Sequence, residues 1–155
     1  MNSLVDHYPL HLEYQSIRKQ MMPLLTDEDL LFSPGGSNPT LGELCRVMGE
    51  VQRSYIDSFK SFKQDWSYRH PDPSIAGSVA RLTEWFDELD AELQSTIASL
   101  SEEDVERPVD RGWPMPARLQ LEVYKEALLI FYGKASVYLK CLGKELTEQW
   151  RGWIA

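Results

Sequence analysis

The chain has 155 residues, 43% of them apolar and 26% charged, and this ordinary globular composition excludes collagen-like, low-complexity and wholly disordered proteins. Its length suits one domain, so residues 1–155 are predicted to fold as a single unit. The chain has 24 acidic and 16 basic side chains, and the resulting formal net charge of −8 repels phosphate backbones. We therefore expect no nucleic-acid partner.

The start of the chain has no basic segment followed by a long apolar core, so we expect a cytoplasmic protein and not a secreted one. The longest apolar run, residues 127–133, is far shorter than the roughly 20 residues that cross a bilayer, and no membrane segment is predicted. Cys45 and Cys141 have neither CxxC spacing nor a neighbouring histidine. Both are predicted to be buried, reduced thiols and neither zinc ligands nor a redox pair.

Two amphipathic helices are predicted in the first half of the chain. Helix 1 is expected to start near Pro9, and its inward face carries Leu10, Tyr14, Ile17, Met21 and Leu24. After a loop rich in proline and glycine, Thr40 and Glu43 have the spacing of a capping box, which predicts the start of helix 2. The inward stripe of helix 2 comprises Leu41, Leu44, Met48, Val51, Tyr55, Phe59 and Phe62.

Helix 3 has the most regular apolar stripe, from Ile75 to Leu100, and Ser74 is its predicted N-cap. The polar residues 101–114 include two prolines and a glycine, so they are predicted to form a crossing loop that carries Trp113. No alternation of useful length indicates a β-strand anywhere in the chain.

Helix 4 is predicted from Pro116, which suits a first helical turn, to Gly143, which suits the residue after a C-cap. One apolar face carries Leu119, Val123, Ala127, Ile130, Val137 and Cys141, and the other carries Leu121, Tyr124, Leu128, Phe131, Tyr138 and Leu142. A helix that is apolar on both faces lies centrally in a domain or is covered by a partner subunit. Thr147 is predicted to cap a last helix over 148–153. These elements predict an all-α fold, an up-and-down four-helix bundle with a short C-terminal helix.

Three segments give the chain a family likeness: 39–44 opening helix 2, 100–109 after helix 3, and 133–144 ending helix 4. In their order and spacing the chain resembles the DinB/YfiT-like superfamily of bacterial four-helix bundles. The resemblance implies a bundle with one longer crossover connection and a bacterial source. Because related bundles are often homodimers and helix 4 has a surplus apolar stripe, we also expect a homodimer.

Metal-binding members of this superfamily hold a divalent ion with three histidines, and the resemblance places those positions on Val47, Ala127 and Phe131. Hydrocarbon side chains offer no lone pair to a metal, so we expect neither a metal nor another cofactor. The resemblance instead implies an apolar pocket or plug at the inner end of helices 2 and 4, with Phe131 as its largest member. The predicted pocket also includes Glu50, Tyr124 and Trp113.

Three groups of residues allow more than one interpretation. His7 and His11 have the spacing of two metal ligands on a helix, although solvated histidines at a helix start explain them as well. Glu50 and Glu126 would form a carboxylate pair if both pointed inward, but the helical period favours the surface. Trp113 is either a ligand clamp or a core plug, with the plug favoured.

The leading functional hypothesis is a DinB-like small-molecule-binding or protein-interaction module that holds a small apolar ligand where relatives hold the metal. The alternative is a metal-dependent transferase or hydrolase of the thiol-transferase type, with shifted ligands drawn from His7, His11, Glu50 or Glu126. The sequence leaves open whether the protein is an enzyme.

Overall fold

Four long helices dominate the structure, a computed structural model that describes residues 2–155 except the side chain of His7. The helices of this part are α1 (Ser3–Met21), α2 (Leu41–Ser61), α3 (Val79–Ser99), the short α4 (Glu102–Glu106), α5 (Ala117–Cys141) and the short α6 (Glu148–Trp153). Two three-residue strands, β1 (Pro108–Asp110) and β2 (Pro114–Pro116), pair antiparallel between α4 and α5. The all-α, four-helix-bundle prediction is confirmed.

Most helix ends have a local capping feature: a polar side chain that accepts from the free backbone N–H groups at the start, or a glycine that lets the chain turn after the last residue. Thr40 and Glu43 form the expected capping box at the start of α2, and Thr147 accepts from the backbone N–H of Trp150 to start α6. Gly143 has a φ of +66° after α5, where a side chain would be strained. These local predictions are confirmed.

The predicted start of helix 1 is wrong. Helix α1 begins at Ser3, where the Asn2 side chain accepts from the N–H groups of Leu4 and Val5, and Pro9 lies inside the helix. The longer helix is rotated relative to the expected stripe, so Leu10 is half exposed. The Asn2 amide also donates to the Ile97 and Leu100 carbonyls at the end of α3, which fixes this earlier start.

The region around α3 differs from the sequence prediction in two places. The N-cap of α3 is Ser78, and Ser74 lies in a 3-10 turn, Pro73–Gly77, that precedes the helix. The predicted loop after α3 contains α4 and the β1–β2 ribbon, whose inward residue Val109 is fully buried. Strands this short carry too little alternation to be detected in the sequence.

The four long helices are not arranged in simple up-and-down order. Both α1 and α2 make their main helix contacts with α3 and α5, so α1 and α2 lie diagonally opposite each other although they are consecutive. The segment 22–40 connects them across the bundle, and residues 100–116 likewise connect α3 with α5, which are also diagonal. The bundle therefore has two crossing connections where the resemblance implies one. In residues 2–155 no helix is both long and apolar enough to span a bilayer.

The two apolar faces of α5 have different environments. The face containing Leu121, Leu128 and Phe131 is buried in the core. The other face is largely exposed: 61% of Ile130 and 52% of Val137 is accessible to solvent. Cys141 lies on this exposed face, so the prediction that both thiols are buried is wrong for Cys141 and right for Cys45.

A buried polar bridge joins α1, α2 and α3. Arg18, which is 1% exposed, donates to Asp90 at 2.5 Å and to Gln52 at 2.8 Å, and its guanidinium lies 4.0 Å from the centre of the Phe86 ring. Gln52 in turn donates to Asp90 at 2.9 Å. Arg18 and Asp90 form a buried charged pair, and together with Gln52 they connect three helices through hydrogen bonds.

Two glycines of α2 allow close contacts, Gly49 with α3 and Gly42 with the 3-10 turn that precedes α3. A Cβ at Gly49 would lie 2.2 Å from a ring carbon of Trp85, and a Cβ at Gly42 would lie 1.9 Å from the Ala76 carbonyl oxygen. Neither distance is possible for real atoms, so both positions require glycine for this packing.

Candidate functional site

An apolar groove of about 190 Å³ lies on the surface between α2 and α5. Each helix contributes four side chains at the spacing i, i+3, i+4, i+7, which is one helix face: Leu44, Val47, Met48 and Val51 from α2, and Ala127, Ile130, Phe131 and Lys134 from α5. The structure therefore brings Val47, Ala127 and Phe131 to one place.

The groove is almost entirely hydrocarbon. Phe131 is 4% exposed and closes its inner side, whereas Val47 and Ile130 stand at its outer edges. The Lys134 ammonium is the single charged group in the lining, and it is a donor without a lone pair for a cation. Chemically, the groove can bury an apolar group and place one positive charge beside it.

Sequence reasoning missed five residues of this lining, namely Leu44, Met48, Val51, Ile130 and Lys134. These residues can be identified in the sequence, because they lie three or four positions from Val47 or Phe131, or from each other, and therefore on the same helix face. What the sequence lacks is the information that the 44–51 face of α2 and the 127–134 face of α5 lie against each other.

Glu50 belongs to a neighbouring depression and not to the groove. Although the helical period favours the surface for this residue, it is 5% exposed. Its carboxylate pairs with Arg46 one turn earlier and accepts from the backbone N–H of His70 at 3.0 Å. Glu126 is exposed, so the two carboxylates do not form a pair.

Tyr124 and Trp113, the other predicted pocket residues, lie away from the groove. Tyr124 is fully buried in the core with its ring 5.3 Å from that of Tyr55, and burial raises the pKa of its phenol well above the ordinary value. Trp113 lies in the β1–β2 turn and is 58% exposed, so it is not a core plug.

The two histidines with described side chains, His11 and His70, lie far apart in the structure and have different partners. His11 is buried on α1 with Nε2 3.4 Å from the Glu122 carboxylate, and His70 packs edge-on against Trp85 elsewhere in the molecule. The side chain of His7 lies outside the described residues. Among the side chains that the structure does describe, no three of the types His, Cys, Asp and Glu cluster closely enough to hold a metal ion together.

The architecture to compare with known proteins is a bundle of four long helices with diagonal connections, followed by a short C-terminal helix. The chain belongs to the DinB superfamily, whose sequence model matches residues 17–131. The crystal structure of a DinB-like protein, YjoA from Bacillus subtilis, superposes with a TM-score of 0.74 at 15% sequence identity, covering 94% of this chain and 96% of that one. This likeness establishes the fold alone. No curated protein matches the chain significantly.

Proposed function

We propose that this chain is a binding module of the DinB superfamily that works without a catalytic metal, and that its α2–α5 groove receives an apolar ligand. The observation that carries the proposal is the lining of the groove, in which Val47, Ala127 and Phe131 stand together with other hydrocarbon side chains. An apolar cavity of roughly 150 Å³ accommodates benzene, so the size of the groove suits a small aryl or alkyl group.

The residues present do not fit the divalent metal that the superfamily implies. A metal needs imidazole, carboxylate or thiolate donors, and the groove offers a thioether, an ammonium and hydrocarbon. The alternative of shifted ligands is weakened by the engagement of Glu50 with Arg46 and by the location of His11 beside Glu122.

Calorimetric titration of tag-free protein with 1-octanol tests the proposal. Binding to the unmodified chain is expected, and Ala127→Phe should abolish it by filling the groove. Ala91→Phe, at an exposed position of α3, adds the same ring elsewhere and should leave binding unchanged. Absence of octanol binding to the unmodified chain contradicts the proposed ligand.

Elemental analysis of the same tag-free preparation tests the metal-free part of the proposal. We expect no zinc, nickel or iron in stoichiometric amount. About one metal ion per chain, lost in His11→Ala or in Glu50→Gln, would instead establish the metal-dependent transferase or hydrolase.

The exposed face of α5 favours a homodimer as a second role. Leu119, Ile130 and Val137 are each more than a third exposed along one side of α5, and exposed large apolar side chains on one helix side are a feature of association sites. A two-fold interface would bury this stripe and close the outer edge of the groove. Sedimentation should give twice the 17.9 kDa chain mass, and Ile130→Asp with Val137→Asp should return the monomer; a monomer at high concentration contradicts the dimer.

The redox state of the two cysteines is relevant to the cellular location of the protein. Cys45 and Cys141 are free thiols, as is usual in a reducing cytosol. We therefore propose a cytoplasmic location, and the family likeness favours a bacterial source. We propose no nucleic-acid partner, because the net charge of −8 opposes one.

A further inference from the structure

A second depression, of about 250 Å³, adjoins the apolar groove along α2. Val47 and Val51 line both depressions, so only one turn of side chains separates them. On its far side the second depression is bounded by the segment after α2, which contributes Trp66, Tyr68 and Arg69. The two depressions thus lie side by side along α2, and one is apolar while the other carries two arginines.

The two arginines of this depression are held in place by contacts that leave part of each guanidinium free. Arg46 donates through Nη1 to the buried carboxylate of Glu50. Arg69 donates through Nη1 to the carbonyls of Trp66 at 2.8 Å and Tyr68 at 2.6 Å. No other acceptor within residues 2–155 occupies the remaining N–H groups of either guanidinium.

The local charge balance favours an anion although the whole protein is acidic. Two guanidinium groups face one carboxylate, and that carboxylate is already engaged by Arg46 and by the His70 amide. Just outside the lining, Arg53 pairs with Glu92 at 2.7 Å and with Asp57 at 3.9 Å. Among the lining residues alone, two positive charges stand against one negative charge.

We propose that the two depressions form one site for an amphipathic carboxylate. Arg46 and Arg69 hold its carboxylate, and its hydrocarbon tail passes Val47 and Val51 into the groove closed by Phe131. This inference rests on the proposed function, because it assigns a headgroup to the apolar ligand of that groove. The planar fork of arginine matches a carboxylate through two parallel hydrogen bonds, and Trp66 and Tyr68 provide aromatic walls for the first carbons of the tail.

Calorimetric titration with octanoate, 1-octanol and acetate separates the headgroup from the tail. Octanoate should bind about tenfold more tightly than 1-octanol, since only octanoate makes charge-assisted hydrogen bonds, and acetate alone should bind weakly. Arg69→Gln should remove most of the preference for octanoate and leave 1-octanol unchanged. Arg151→Gln, the same substitution on the exposed surface of α6, serves as the control.

Arg46 needs a different variant, because replacing Arg46 alone would leave the buried Glu50 carboxylate without its charged partner and could unfold the protein. The double change Arg46→Gln with Glu50→Gln removes both charges together and should also abolish the preference. Equal affinity for octanoate and 1-octanol, or an undiminished preference in both the Arg69 and the double variant, overturns the headgroup assignment and leaves the apolar site standing. Failure of both octanoate and 1-octanol to bind overturns the proposed function along with it.

Discussion

The two sides of α2 differ in how closely the next helix approaches. Toward α3, Gly49 lets the Trp85 ring lie against the backbone, and Gln52 joins the buried bridge of Arg18 and Asp90. Toward α5, branched side chains stand at the edges of an open groove. The closely packed side and the proposed binding groove therefore lie on opposite sides of one helix, and substitutions on the two sides should have different consequences.

The largest loss is expected on the closed side, from Arg18→Ala. Removing the guanidinium leaves the Asp90 carboxylate buried without its charged partner, which costs up to about 5 kcal/mol of the free energy of unfolding. Urea denaturation measures this loss. Arg81→Ala is the control, because Arg81 is exposed and pairs with Asp72 at the surface, away from the bridge, and it should change stability by no more than about 0.5 kcal/mol. Similar losses in both variants contradict the bridge.

Phe131→Ala should have the next largest effect. The ring is buried, but one side of it borders the groove, so we expect a loss near the lower end of the usual range, about 3 kcal/mol. The neighbouring Ile130→Ala, at an exposed position, should cost well under about 1 kcal/mol. A negligible loss at Phe131 would mean that the ring is not packed as the structure describes.

Two glycine substitutions should have opposite signs. Gly49→Ala forces its methyl into the Trp85 ring and should destabilise the fold by roughly 1 to 3 kcal/mol. Gly133→Ala, on the exposed side of α5 with no atom near its Cβ position, should stabilise the helix by roughly 0.5 to 1 kcal/mol. Thermal unfolding of both variants checks the signs, and stabilisation by Gly49→Ala contradicts the close approach of α2 and α3.

The smallest effect concerns reactivity and not stability. Burial raises the pKa of the Cys45 thiol to about 12, so this thiol is protonated and inaccessible in the folded protein, whereas Cys141 is exposed. A colorimetric thiol reagent at pH 8 should react rapidly with one thiol in the native chain and with two in denaturant. Two rapid thiols in the native chain disagree with the burial of Cys45, and none indicates that Cys141 is covered by a second copy.

Local signals in the sequence predicted most helix boundaries. The Thr40 capping box, Gly143 after α5 and Thr147 before α6 act on backbone groups within a few residues, so their geometry can be read from the sequence alone. Pro9 was misleading, because the helix tolerates it and the true start depends on contacts of Asn2 with residues almost a hundred positions away.

Tertiary packing decided what the sequence left ambiguous. Both faces of α5 are apolar, and only the packing shows that the Phe131 face is inward and the Ile130 face outward. The family likeness identified three of the eight residues of the groove lining, because it assigns Val47, Ala127 and Phe131 to the positions of the relatives' metal ligands. The buried setting of Glu50 was not predictable, because its partner amide belongs to a residue 20 positions further along.

The location of Trp66 in the arginine-lined depression makes the protein its own optical probe. Of the five tryptophans, Trp85 and Trp150 are buried, so their emission reports unfolding, while Trp66, Trp113 and Trp153 are exposed to solvent. Only Trp66 among these three borders the proposed headgroup site. A spectral change on addition of octanoate that disappears in Trp66→Phe and persists in Trp113→Phe would assign the signal to that depression without any attached dye.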